Sequence, residues 1–279
     1  MSQDYPTPIE GEYQPPQRAV SGAKRRGAGA IVVTLGLLFA KFKALLFFLL
    51  NFKVVFIGLK VLASAGTFLI SLWFYTLLFG FPFALVFILQ LLVHELGHVG
   101  MMRVYGVPGS LPFFIPGFGA LINMKGRPAS AVHESYIALA GPLAGGAAAT
   151  LCFLYGQASG HQFWIAAAYT GFFLNLFNLM PVIPLDGGRV VGAVSPRIWI
   201  FGLILFVVAA IAFHLWNPLI LVLLFISIPQ AIAAWRGRID PAYYQVTPLQ
   251  RMTILVAYFA LIVYLMLAML ASHIAVPVR

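Results

Sequence analysis

The chain has 279 residues, of which 62% are hydrophobic and only 9% charged, with a formal net charge of +10. Soluble domains carry about 25% charged residues, so an ordinary soluble globule is excluded and a polytopic helical membrane protein is expected. The basic residues fall between apolar runs with no aromatic–basic binding module, so no nucleic-acid partner is expected.

Residues 1–27 read as a disordered cytoplasmic tail, polar and Pro-rich (Pro6, Pro8, Pro15, Pro16), ending near Lys24-Arg25-Arg26. No small-residue cleavage site follows an apolar core segment, so no cleavable signal peptide is expected. Residues 28–61 are apolar but hold Lys41, Lys43, Lys53 and Lys60, which are costly inside a span. They read as a basic amphipathic segment in the membrane interface, with its lysines reaching to water, or as a hairpin of two short spans.

Spans are then expected at about 62–79, 82–104, 132–156, 162–181, 198–216, 217–235 and 252–272, each long enough to cross most of a bilayer core. With the N-terminus in the cytoplasm, every Lys and Arg except Arg279 falls on the cytoplasmic side, a strong positive-inside asymmetry. Between the second and third of these spans, Leu111–Ile122 is rich in Pro, Gly and aromatic residues and reads as a bent strand or re-entrant loop. The single cysteine, Cys152, lies in an apolar stretch and reads as a packing residue.

The second span ends in His94-Glu95-Leu96-Gly97-His98, after a run from Leu62 to Val93 with no Asp, Glu, Lys, Arg or His. Ionisable groups at membrane depth are costly and mark functional sites. On a helix, positions i and i+4 share a face, so His94 and His98 can reach one metal ion, with Glu95 placed to deprotonate a bound water. A catalytic zinc site takes a third protein ligand and leaves one position open. After residue 12 the acidic residues are Glu95, Glu134, Asp186 and Asp240. Asp186 lies in a Pro- and Gly-rich break, Pro181 to Gly188, at the same expected depth as the histidines, and is a plausible third ligand.

His94–His98 followed by Asn178-x-x-Pro181-x-x-Pro184-Leu185-Asp186-Gly187 resembles the site-2 protease family of intramembrane zinc metalloproteases. Ala140-Gly141-Pro142-Leu143-Ala144-Gly145, in the intervening span, fits it too, and the likeness covers about residues 62–192. The resemblance implies that His94, His98 and Asp186 bind one Zn2+ per chain. It implies that Glu95 is the general base on a zinc-bound water, and that Asn178 stabilises the oxyanion or positions substrate. It also implies short strands beside the active site, where Phe118, Gly119 and Ala120 would pair with an extended substrate by strand addition.

The expectation is therefore an all-α polytopic membrane protein of about six to seven transmembrane helices, with a short strand-like or re-entrant segment after the H-E-x-x-H helix. Its intramembrane metalloprotease core spans 62–192 and C-terminal transmembrane helices occupy 193–279. The expected activity is zinc-dependent endoproteolysis of transmembrane segments of membrane proteins near the cytoplasmic side. The expected setting is a lipid bilayer, a prokaryotic plasma membrane with the N-terminus cytoplasmic. The alternatives are a catalytically inactive membrane-protein-binding relative and a metal or ion transporter, against which stands the clustering of ionisable groups on one side. Arg189 either pairs with a carboxylate near the metal or anchors its span. Glu134 and His133, like His161, His214 and His273, read as interfacial polar residues, and Gly141, Gly145 and Gly146 as close helix contacts.

Overall fold

The structure is a computed structural model that describes residues 23–212, 214, 218–237 and 240–273. The chain divides into two compact units, Met1–Gly58 and Leu59–Arg279. Residues 1–22 of the expected tail lie outside the described residues. Helix α1 (Ala23–Phe79) begins inside that expected tail, because Ala23-Lys24-Arg25-Arg26 are good helix formers. Residues 28–61 are helical throughout, without the turn that a hairpin would need.

The second unit carries everything that positions the site. Helix α2 (Phe81–Val104) follows α1 after Gly80, whose φ of 80° allows the sharp join. A hairpin comes next, β1 (Phe113–Ile115) and β2 (Gly119–Leu121), antiparallel with Phe114 opposite Ala120. Pro116-Gly117 turns it: Gly117 has φ 78° and the Phe118 N–H donates to Ile115 O at 3.0 Å. The bent strand expected in Leu111–Ile122 is this hairpin.

Helices α3 (Ala131–Ser159), α4 (Gln162–Asn178), α5 (Asp186–Val194), α6 (Ile198–Ala212), α7 (Pro218–Trp235) and α8 (Pro248–Ala271) complete the unit. Ser130 caps α3 and Thr247 caps α8 in a capping box with Gln250. Helix α3 is the centre, packed against α2, α4, α5 and α8. Its small residues, Ala138 and Ala149 among them, meet Phe172, Leu179, Ile254 and Leu265 in the main core.

Among the described residues, four helical segments are long and apolar enough to cross a membrane: Ile57–Phe79, Phe81–Val104, Ala131–Ser159 and Pro248–Ala271. Helices α4 and α6 are apolar but shorter, at 17 and 15 residues, so about 25 Å and 22 Å at 1.5 Å per residue. Helix α4 stops at Asn178 because Pro181 and Pro184 cannot continue it. Large apolar side chains stand exposed on the outer faces, including Trp73, Phe201, Phe225, Phe259 and Leu267. A solvated surface of that kind is unstable in water and suits contact with lipid. The fold is an all-α polytopic membrane protein with one small hairpin.

Candidate metal centre

His94 and His98 lie one turn apart on α2 and both face α3, their rings edge to face with centroids 4.8 Å apart. Two hydrogen bonds set their orientation. His98 Nδ1 donates to Ile137 O at 2.8 Å, and His94 Nδ1 lies 2.8 Å from Asn175 Oδ1 on α4. The Asn175 amide is itself oriented, since its Nδ2 donates to Gly171 O at 2.7 Å, so Oδ1 is the acceptor from His94. A carbonyl can only accept, so each neutral imidazole carries its proton on Nδ1 and a lone pair on Nε2.

Those two Nε2 atoms and Asp186 Oδ2 point at one another. The separations are 3.1 Å between the histidines and 3.2 and 3.3 Å to the carboxylate. Asp186 Oδ2 is buried and accepts no hydrogen bond. Three acceptors facing one another without a proton between them repel unless a cation lies among them. Ligand atoms about 2.0–2.1 Å from a tetrahedral zinc stand about 3.3 Å apart, so the three side chains fit the ion. His94, His98 and Asp186 form the one group of metal-binding geometry among the described residues.

Asp186 gets there through the break after α4. It opens α5, and three donors from later helices hold the carbonyls around it. Tyr258 on α8 donates to Leu179 O at 2.5 Å, Trp199 on α6 donates to Gly188 O at 2.7 Å, and the Ser227 hydroxyl on α7 donates to Ile183 O. Broken backbone inside a membrane protein needs such partners.

Helix α3 makes room for the imidazoles. A Cβ on Gly141 would collide with Cε1 and Nε2 of His98 and come within 2.9 Å of His94 Nε2. A Cβ on Gly97 would collide with Ala140 O, so α2 and α3 approach only through glycine. Pro142, buried within α3, has no N–H to return to Ala138 O and loosens the helix one turn after Ile137, whose carbonyl takes the His98 proton. Gly141 thus has a second role beyond helix packing: it leaves space for the metal-facing nitrogens.

The centre opens into a cavity of about 540 Å³. Glu95 lines it, buried, beside His94, His98 and Asp186. So do Phe118, Gly119 and Ala120 from the hairpin side, and Asn178, whose Nδ2 donates to Leu174 O at 3.1 Å and keeps a second N–H. Arg189, one turn after Asp186, also lines it, but its nearest carboxylate is Glu134 Oε1 at 3.9 Å. Glu134 in turn accepts from Tyr243 OH at 2.5 Å. His133 stacks on Tyr105, His161 stands at the N-cap position of α4 without a side-chain cap hydrogen bond, and the His273 ring meets Tyr169, none of them in the His94, His98 and Asp186 group.

Asn175 is the residue that sequence reasoning missed. Its signal is position: it lies three residues before Asn178 on a short apolar helix, and a buried amide there needs a partner. Replacing it with Ala leaves the His94 ring free to turn. We expect metal affinity about 10–100-fold weaker, measured by competition with a zinc chelator, with His94 ring rotation as the cause. Unchanged affinity would remove Asn175 from the centre.

Residues 82–161 and 156–203 match the family described as Peptidase family M50. A curated relative, named probable zinc metalloprotease EGY2, chloroplastic, from Arabidopsis thaliana, is 40% identical over 82 residues. That stretch is 28% of this chain and 15% of the relative, so the chain matches about a seventh of that protein's length. The family match takes in α2, the hairpin, α3, α4 and α5, the elements that bring His94, His98, Glu95 and Asp186 together. Residues 82–203 are therefore similar to peptidase family M50, the site-2 protease family, over the part of the chain that builds this centre.

Proposed function

We propose that the protein is a zinc-dependent intramembrane endopeptidase that cleaves transmembrane segments of membrane-protein substrates near the cytoplasmic face. The observation that carries this reading is the convergence of His94, His98 and Asp186 beside Glu95, in a cavity walled by a hairpin strand. His94, His98 and Asp186 would hold the zinc. The bound ion would supply Lewis acidity, which lowers the pKa of a water toward about 7.

Glu95 takes one proton from the water as its oxygen attacks the scissile carbonyl carbon. The carbonyl π pair moves onto oxygen, and the second N–H of Asn178, which lines the cavity, would donate to the developing oxyanion. Glu95 then returns the proton to the amide nitrogen as the C–N bond breaks. The second water proton passes from the new carboxylic acid to the amine, leaving one chain ending in a carboxylate and one beginning with an ammonium group.

A helical substrate must unwind before its carbonyl is accessible. Strand β2 supports that step: β1 pairs one of its edges, and no other strand pairs with it among the described residues. An extended substrate segment can add there through main-chain hydrogen bonds.

The test is cleavage of a transmembrane reporter by purified protein in detergent. Chelation abolishes cleavage and stoichiometric zinc restores it. In the same assay Ala120→Pro keeps full zinc content and loses roughly tenfold in cleavage, because Pro removes a strand donor. A chelation-resistant cleavage, or none at all with zinc bound, would overturn the assignment.

A further inference from the structure

Beside the catalytic cavity lies a second, polar one of about 500 Å³. The two share Ile122, Asn123, Met124 and Arg189, so they adjoin along the segment that leaves β2. The catalytic part is largely apolar, lined by Phe118, Leu121, Val222, Leu223 and Ile226, as suits a membrane-derived segment. The second part is lined instead by Lys125, Arg127, Arg189, Glu134, Tyr243 and Tyr244.

The charges there are unequally committed. Arg127 pairs with Asp240 at 3.0 Å and lies 3.7 Å over the Tyr243 ring. Glu134 is taken by the Tyr243 hydroxyl, which burial and the Glu134 carboxylate hold well above its ordinary range, so it remains a donor. Arg189 reaches Glu134 only at 3.9 Å, beyond a hydrogen bond, and lies between the two cavities. Lys125 is exposed and makes no ion pair among the described residues. The polar cavity therefore presents two cations with donors to offer.

We propose that this polar cavity is a substrate subsite that takes a carboxylate side chain of the extended peptide, away from the scissile bond. The proposal rests on the peptidase reading. Adjacency to the cavity around Glu95, through the shared residues Ile122–Met124 and Arg189, selects a peptide as the occupant: a chain lying along Gly119–Leu121 and continuing past Asn123 would meet Arg189 and then Lys125. Arg189 offers a planar fork that matches a carboxylate, and Lys125 adds a point charge.

The test uses a set of transmembrane reporters that differ only by Asp, Ala or Lys at one position, scanned on both sides of the scissile bond. At one position we expect kcat/KM about tenfold higher for Asp than for Lys, with the ratio shrinking as salt rises from about 50 to about 500 mM. In Lys125→Glu combined with Arg189→Gln, the ratio falls to one or inverts; Lys125→Glu alone, on an exposed side chain, halves the logarithm of the ratio. The same peptides are titrated onto Glu95→Gln protein by fluorescence anisotropy. An Asp preference in binding upholds the subsite even if no reporter is cut, which would count against the peptidase reading alone. A ratio near one at every position, in binding and in cleavage, overturns the subsite. So does activity that follows anionic lipid content while ignoring peptide charge, which would assign the cations to headgroups.

Discussion

Glu95→Gln should retain about one zinc per chain and lose cleavage by about 10²–10⁴-fold, the range that a positioned general base contributes. The change is nearly isosteric and removes a buried charge, so it costs the fold little. The substituted amide keeps its place beside His94 but has no basic oxygen to accept the water's proton and no acid to return it to nitrogen. The metal count separates roles: His94, His98 and Asp186 are the group that could hold the ion, and Glu95 is not part of it. Zinc by elemental analysis and cleavage by single-turnover assay, run on the same preparation, decide the matter. Loss of zinc would make Glu95 a ligand, and retention of both would place the base elsewhere.

Much of this centre is legible in the sequence because it is written in local spacing. His94 and His98 at i and i+4 face one way on any helix, and Pro181 and Pro184 end a helix wherever they occur. The Pro-Gly pair at 116–117 turns a chain between two short aromatic and apolar runs, as the hairpin does. What is not legible is what depends on which helix lies opposite. Asn175 looks like any amide on an apolar helix until α4 is set against α2. Ile137 contributes only a carbonyl, which every residue has. Tyr258 and Ser227 belong to helices beyond the family match, and nothing in their sequence neighbourhood names Leu179 or Ile183 as the acceptor. Helix lengths fail for a related reason: α4 reads as a span up to Pro181, yet its last turn is given up so that the chain can break and carry Asp186 inward.

The Asp186→Ala variant tests the centre at the point where local and distant structure meet. It should bind zinc at least about 10³-fold more weakly, beyond the 10–100-fold that outer partners such as Asn175 carry, and show no cleavage. Ala removes one of three ligands and its negative charge, leaving two neutral imidazoles that hold the ion poorly. The fold itself should tolerate the change. Asp186 opens α5, where its charge contributes roughly 0.3–1 kcal/mol through the helix dipole, and no hydrogen bond to its buried oxygen is lost. The carbonyls around it stay fastened by Tyr258, Trp199 and Ser227. Thermal unfolding of the two proteins, each with and without zinc, separates these effects. The two zinc-free proteins should unfold at similar temperatures. Added zinc should then raise the midpoint of the wild type alone, because an ion stabilises only the state that binds it. Equal stabilisation of both proteins would show that zinc is held elsewhere and would remove Asp186 from the ligand set.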